Sequence, residues 1–375
     1  MTIRQVPDSF PNNFPLRKDS ARPAHGQGMR LFACQSCANL LFFENITCLG
    51  CGAAVGFDPT ANDLRNLPTR GLSSCRGGDP QCNWLVEENT GESRCLACRS
   101  TIDHPPATGD YGPAWASLER AKRRLYHTLI LLDLPLDGLR FAFPASGMTG
   151  HADGLITVVL AEANDGERLR RQQALGEPMR TLIGHFRHES GHFYHGLVAL
   201  NSPRLNEIRT LFGDEREDYS TALQNFYRVG APADWPTRHV SAYAAAHPHE
   251  DWAETWAHHL HMIDALELAA AYGLTLTPLP HADGAALERM RQVGPAACPF
   301  STLIAAWHPL AWFANSLNRS LGHPDWYPVV PSPVVIGKLQ LIHELIQARA
   351  LNLGDQRMAA ATGGDAMANE MKEKT

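Results

Sequence analysis

No stretch of the 375-residue chain reaches the 18 or so consecutive apolar residues of a membrane span, so no membrane-crossing helix is expected. The opening MTIRQVPDSFPNNFPLRKDS lacks the apolar core of a secretory leader, and the expected compartment is the cytoplasm. A basic excess is also missing. Lys and Arg number 33 against 39 Asp and Glu, a formal charge of -6, and metal-bound thiolates would add to it. That balance argues against broad contact with a phosphate backbone and leaves nucleic acid outside the expected partners. Charged residues make up only 19% of the chain and hydrophobic ones 44%, which excludes a wholly disordered or fibrous protein. Cysteine is nearly absent outside one segment. Eight of the nine fall between Cys34 and Cys98, and the ninth, Cys298, reads as a small buried apolar residue.

The length suits two or three domains. Residues 1–29 are rich in Pro and Asn without apolar periodicity and read as a disordered leader. From 30 to 100 the chain is short apolar strings (LFACQ, NLLFF, NWLV) punctuated by Cys and Gly, the texture of small β-ribbons that need a staple. Residues 101–113 concentrate Pro, Gly and Asp and read as a linker. A main domain follows over 114–351, and 352–375 reads as a disordered tail. Within the main domain, WASLERAKRRLYHTLILLDL has helical periodicity. LRFAF at 139–143 and LITVVL at 155–160 are β-prone and are expected to pair as a hairpin. Long helices are expected from about Pro178 to Leu200 and from about Pro248 to Tyr272.

Cys34 and Cys37, then Cys48 and Cys51, form a pair of two-residue knuckles, each of which brings two sulfurs to one tetrahedral ion. Cys75 and Cys82, then Cys95 and Cys98, make a looser second set. Two structural zinc ions are the simplest reading. Iron in the first cluster is the alternative metal, and nucleic-acid binding by the ribbons the alternative role. Ten Lys and Arg against nine Asp and Glu over residues 1–100 give that role no basic stripe.

In HFRHESGHFYHGL, His188 and His192 sit one helical turn apart and present both imidazoles on one face. Zinc held by two His and a carboxylate keeps a position for water, and Glu189 stands where the HExxH base takes the proton of that water. The metzincin extension is excluded, because it needs Gly at His195 and His at Val198. The third ligand must come from farther along. HPHEDWAETWAHHLH offers Glu250 and Glu254, one turn apart on one helix face, either of which the spacing allows.

HESGH followed by SAYAAAHPHEDWAETWA resembles the glutamate zincins (gluzincins), and the Tyr243 to Glu250 spacing is similar to that of the lethal-factor-type metallopeptidases. With the two cysteine clusters, AKRRLYHTL and HADGLITV, the chain from about Met29 to Gln347 resembles the bacterial zinc-ribbon zinc-binding metallopeptidases. The resemblance implies Glu250 as third zinc ligand, Glu254 as acceptor for a ligand imidazole N–H, and Tyr243 as oxyanion donor. A Tyr243 that merely packs, a swap of Glu250 with Glu254, and His258 as ligand are the competing assignments.

His185 and His195, one turn to either side of the ligand pair, read as bystanders. Asn315, Asn318 and Arg319 read as helix caps, and His151 and Asp153 as part of a turn. The expectation is therefore an α+β protein: a double four-cysteine zinc ribbon, then a mainly helical zincin-like domain with a small β-sheet. It carries one catalytic and two structural zinc ions and hydrolyses peptide bonds of a peptide or protein substrate. A ribbon adaptor on a catalytically weak scaffold is the rival class.

Overall fold

The computed structural model describes residues 31–79, 81–105, 111–166, 168–170, 179, 181–276, 293–327 and 330–348. The expected leader and tail lie outside these residues, as does Pro178. The chain divides into two compact units with the boundary between Arg99 and Ser100.

The first unit is three two-stranded antiparallel ribbons. β1 (Phe32–Ala33) pairs with β2 (Leu40–Leu41), β3 (Val55–Asp58) with β4 (Asp63–Asn66), and β5 (Leu72–Ser74) with β6 (Leu85–Glu87). Strands this short cannot build a layered core. They share one aromatic cluster: the Phe57 ring lies 4.8 Å from Phe43, 6.1 Å from Phe32 and 5.1 Å from Trp84. Gly56 is required there, since a Cβ would stand 2.4 Å from the Leu85 side chain.

The second unit is helical around a four-stranded mixed sheet in the order β7-β8-β10-β9. The expected hairpin is corrected. β8 (Arg140–Ala142) and β10 (Leu155–Thr157) run parallel, and the antiparallel partner of β10 is β9 (Gly150–Ala152), which the sequence reading placed in a turn. The cause is the two-residue turn at Asp153 and Gly154, with φ of 47° and 78°, the geometry that closes a tight hairpin. The linker reading is corrected too. Thr101–Asp103 forms β7, parallel to β8, because backbone N–H groups of Phe141 and Phe143 bond to Ser100 and Asp103 carbonyls at 2.8 Å. The Thr101 hydroxyl also donates to buried Glu119 at 2.6 Å.

The helices are α1 (Gly112–Leu131), α2 (Leu182–Tyr194), α3 (Leu205–Phe212), α4 (Tyr219–Val229), α5 (Pro248–Ala271), α6 (Phe300–Ser320) and α7 over 333–348. A π-helical turn, His195–Ala199, continues α2. Phe141 and Phe143 of the sheet region pack on Phe186 of α2, with ring centroids 5.8 and 6.0 Å apart. On its other side α2 meets α5, which is buried along most of its length.

Candidate active site

The two helices that carry the predicted site start from strong local signals. Thr181 caps α2 by accepting from the Gly184 N–H, and Pro248 opens α5 behind His247, whose Nδ1 accepts from the His249 N–H at 3.1 Å. Their approach is set by Gly191, inside the HESGH motif. A Cβ there would lie 2.8 Å from the Ala253 Cα, so any other residue would push the helices apart. The indole of Trp252 donates to the Gly191 carbonyl at 3.0 Å, and that of Trp256 to the Ser190 hydroxyl at 3.3 Å. Arg187 pairs with Asp264, which also accepts from Thr128 of α1 at 2.8 Å.

This packing brings His188, His192 and Glu250 together, with one donor atom from each within 4.8 Å of the others. Glu250 Oε2 lies 3.1 Å from His188 Nε2, and Oε1 lies 3.6 Å from His192 Nε2. The Glu250 side chain is 1% exposed, and its Oε2 makes no hydrogen bond. A buried carboxylate oxygen without a donor is costly, and a divalent cation is the partner that a two-His, one-Glu set fits. Burial pushes the Glu250 carboxyl up. The His192 charge, with His188 and the Tyr219 hydroxyl, outweighs that and holds it down at about 2.

Glu254 takes the other side of the first imidazole, its Oε1 2.7 Å from His188 Nδ1. It therefore stands behind the ring, while Glu250 faces both Nε2 atoms. Glu189 and Tyr243 line a cleft of about 620 Å³ with His188, His192 and Glu250, and the Tyr243 ring lies 6.0 Å from that of His188. Burial would raise the Glu189 carboxyl, but a hydrogen bond from His185 and the neighbouring imidazole charges leave it below its ordinary value. β9 forms one wall of the cleft through Gly150, His151 and Ala152.

Several residues of this site escaped the sequence reading. Tyr219, at the start of α4, donates to Glu250 Oε1 at 2.6 Å, and only the preceding cap, Asp218, marks its helix in the sequence. His151 is on β9, not in the turn, and its ring stacks 6.4 Å from His192; Asp153 does belong to the turn. His195 lines the cleft, buried against His249 at 4.7 Å, and burial pushes it down to about 3. His185 contacts Glu189 at 3.1 Å. The signal for both was their one-turn offset from His188 and His192. His258 bonds the Tyr327 hydroxyl at 2.8 Å instead of joining the His188 group. Asn315, Asn318 and Arg319 hold the chain after α6, through Tyr327, Pro324 and Asp325.

In the ribbon unit, Sγ atoms of Cys34 and Cys51 are 3.7 Å apart and those of Cys37 and Cys48 3.6 Å. Cys82 lies 3.8 Å from Cys95 and 3.6 Å from Cys98, and Cys75 completes that cluster. Tetrahedral bonds of about 2.3 Å place sulfurs roughly 3.8 Å apart, so both cages fit zinc. Gly77 leaves room for the second: a Cβ would sit 2.7 Å from Cys98 Sγ.

A helix bearing HExxH crossed by an acidic helix, preceded by a double cysteine cage, defines a zinc-ribbon protein with a peptidase-type α+β metal domain. The chain belongs to the family described as "Putative zinc-binding metallo-peptidase", whose model matches residues 112–345, and a zinc-ribbon domain model matches residues 31–108. Uncharacterised proteins of Mycobacterium tuberculosis and Mycobacterium bovis are 41% identical over 334 residues, covering 85% of this chain and 95% of each relative. No solved structure matches the chain. Among the described residues, no helix is long and apolar enough to cross a membrane.

Proposed function

We propose that the protein is a zinc-dependent peptidase of the glutamate-zincin type, with His188, His192 and Glu250 as the residues that hold the ion. Zinc bound there would polarise a substrate carbonyl and acidify a water molecule. The remaining work falls to the chain. Glu189 accepts the proton of the attacking water and passes it to the leaving amine. Tyr243 donates to the oxygen on which charge develops. Glu254 fixes the His188 tautomer with Nδ1 protonated, leaving Nε2 as the ligand atom, and Tyr219 orients Glu250. An extended peptide would pair with β9, the edge strand of the described sheet that lines the cleft. The observation that carries this reading is the buried, unbonded Glu250 oxygen facing two imidazoles beside Glu189.

The ribbon unit would supply docking. Phe42 and Leu49, beside the first cysteine cage, are 69% and 84% exposed, and its closed four-sulfur cages leave no position for substrate. Thiolate use of this kind suits a reducing compartment, the cytoplasm.

The test combines metal counting with one substitution. Three zinc ions per chain are expected from the three ligand groups. Glu189→Gln should keep all three and abolish cleavage of a peptide library followed by mass spectrometry. Residual proteolysis equal to that of the unchanged protein would remove Glu189 from the reaction. An adaptor would cleave nothing, and if its partner were nucleic acid it would bind in a salt-dependent way that survives the substitution.

A further inference from the structure

Two buried side chains beside the centre have no task in the mechanism above. His185 lies one helical turn before Glu189 and is 5% exposed, and its two ring nitrogens face two carboxylates. Nε2 is hydrogen-bonded to Glu189 Oε1 at 3.1 Å, and Nδ1 lies 3.3 Å from Glu162 Oε2, within ion-pair distance but off hydrogen-bond alignment. Glu162 is completely buried, on the single turn Leu160–Ala163 that follows β10. Neither residue lines the cleft that holds Glu189; His185 borders a separate small cavity beside Thr181 and His258. His185 reaches the cleft through its hydrogen bond to Glu189.

A buried carboxylate–imidazole array is a poor way to gain stability, because desolvation offsets most of the attraction and apolar side chains fill the same space as well. Its use lies in orientation. The last torsion of a glutamate is broad and twofold, and a carboxylate beside a cation is drawn to bind it directly. We propose that Glu162 and His185 are positioning residues for the base: Glu162 orients the imidazole, and the imidazole holds Glu189 Oε1. The other oxygen of Glu189 is thereby left to meet water. This inference rests on the reading of Glu189 as base, and it adds a requirement for two residues outside the HExxH motif.

The experiment uses the full-length, zinc-loaded protein with His185→Leu, His185→Gln and Glu162→Gln, each alone and combined with Glu189→Gln. Zinc content is counted first and should be unchanged. Benzohydroxamic acid then serves as a probe, since a hydroxamate that binds zinc gives a proton to a neighbouring carboxylate. Calorimetry should show about tenfold weaker binding for His185→Leu, partial recovery in His185→Gln, and no further loss when Glu189 is already Gln. On the best-cleaved library peptide, kcat should fall by a similar factor with KM unchanged.

Equal probe affinity in His185→Leu and the unchanged protein would overturn the proposal. So would an equal loss in the Glu189→Gln background, or loss of zinc, each of which marks a packing role. If His185→Leu does not fold, Glu162→Gln decides by the same criteria. If the unchanged protein cleaves no peptide, the peptidase reading falls, and the probe cycle alone decides whether Glu162 and His185 hold Glu189.

Discussion

The ribbon cages and the centre between α2 and α5 reach metal-binding geometry by opposite routes. In the ribbons the paired sulfurs are near neighbours, Cys34 and Cys51 being 17 residues apart and Cys82 and Cys95 13 apart. The surrounding strands are two to four residues long. The ligands there carry the fold. In the helical unit, Glu254 and His188 meet across 66 residues, and tryptophans, a glycine crossing and the Arg187–Asp264 pair hold the helices that carry them. There the fold carries the ligands.

The sharpest way to break this contrast is chelation. Structural zinc contributes on the order of 10 kcal/mol to a small cysteine domain, so a strong chelator should unfold the ribbon unit and leave the helical unit folded. Far-UV circular dichroism should keep its helical signal while hydrogen exchange over 31–99 becomes fast. Loss of both together would mean that the helical unit also depends on its ion.

Acid should act on the helical unit through its buried histidines. His127 is pushed down to about 4 by burial, and His258 likewise to about 4. An unfolded histidine titrates near 6.5, so below that pH the unfolded chain takes up protons that the folded one refuses. The stability these groups permit is complete above pH 6.5 and is lost as pH falls toward 4, by on the order of 3 kcal/mol for His127. The described ribbon residues contain no histidine, and a zinc-saturated ribbon should show no such loss between pH 6.5 and 5.5. Denaturant melts at stepped pH, followed by residue-resolved exchange, separate the two units.

Gly191→Ala attacks the crossing itself. The added methyl meets the Ala253 backbone, and about 1–3 kcal/mol of stability should be lost in denaturant melts. Zinc should leave the helical centre while the cysteine cages keep theirs. Tyr219→Phe is the mildest change. It deletes the hydrogen bond to Glu250 Oε1, and zinc affinity at this centre alone should fall about tenfold, read by competition with a chelating dye.

The site's legibility in the sequence followed the range of the contacts. The cysteine knuckles and the one-turn spacing of His188, Glu189 and His192 are local, and helix or turn geometry converts such spacings directly into a shared face. Glu250 and Glu254 were visible as a pair, but their spacing is symmetrical. What separates them is where α5 crosses α2, and Gly191 and Ala253 decide that. Tyr219, His151 and Glu162 carried no ligand spacing, because each reaches the centre from a different element; His185, one turn before His188 on α2, read as a bystander. The parallel pairing of β8 and β10 was missed for a related reason: a tight turn at Asp153 and Gly154 reverses the chain once more than the apolar strings suggest.

The amino-acid order alone determined the two four-sulfur cages, the HExxH helix and the acidic helix downstream, since each depends on residues within a few turns of one another. Only the tertiary structure decided which carboxylate faces both imidazoles, which tyrosine bonds it and which buried histidine contacts Glu189. Those choices depend on how closely two helices approach, and a side chain as small as a hydrogen atom at Gly191 sets that distance.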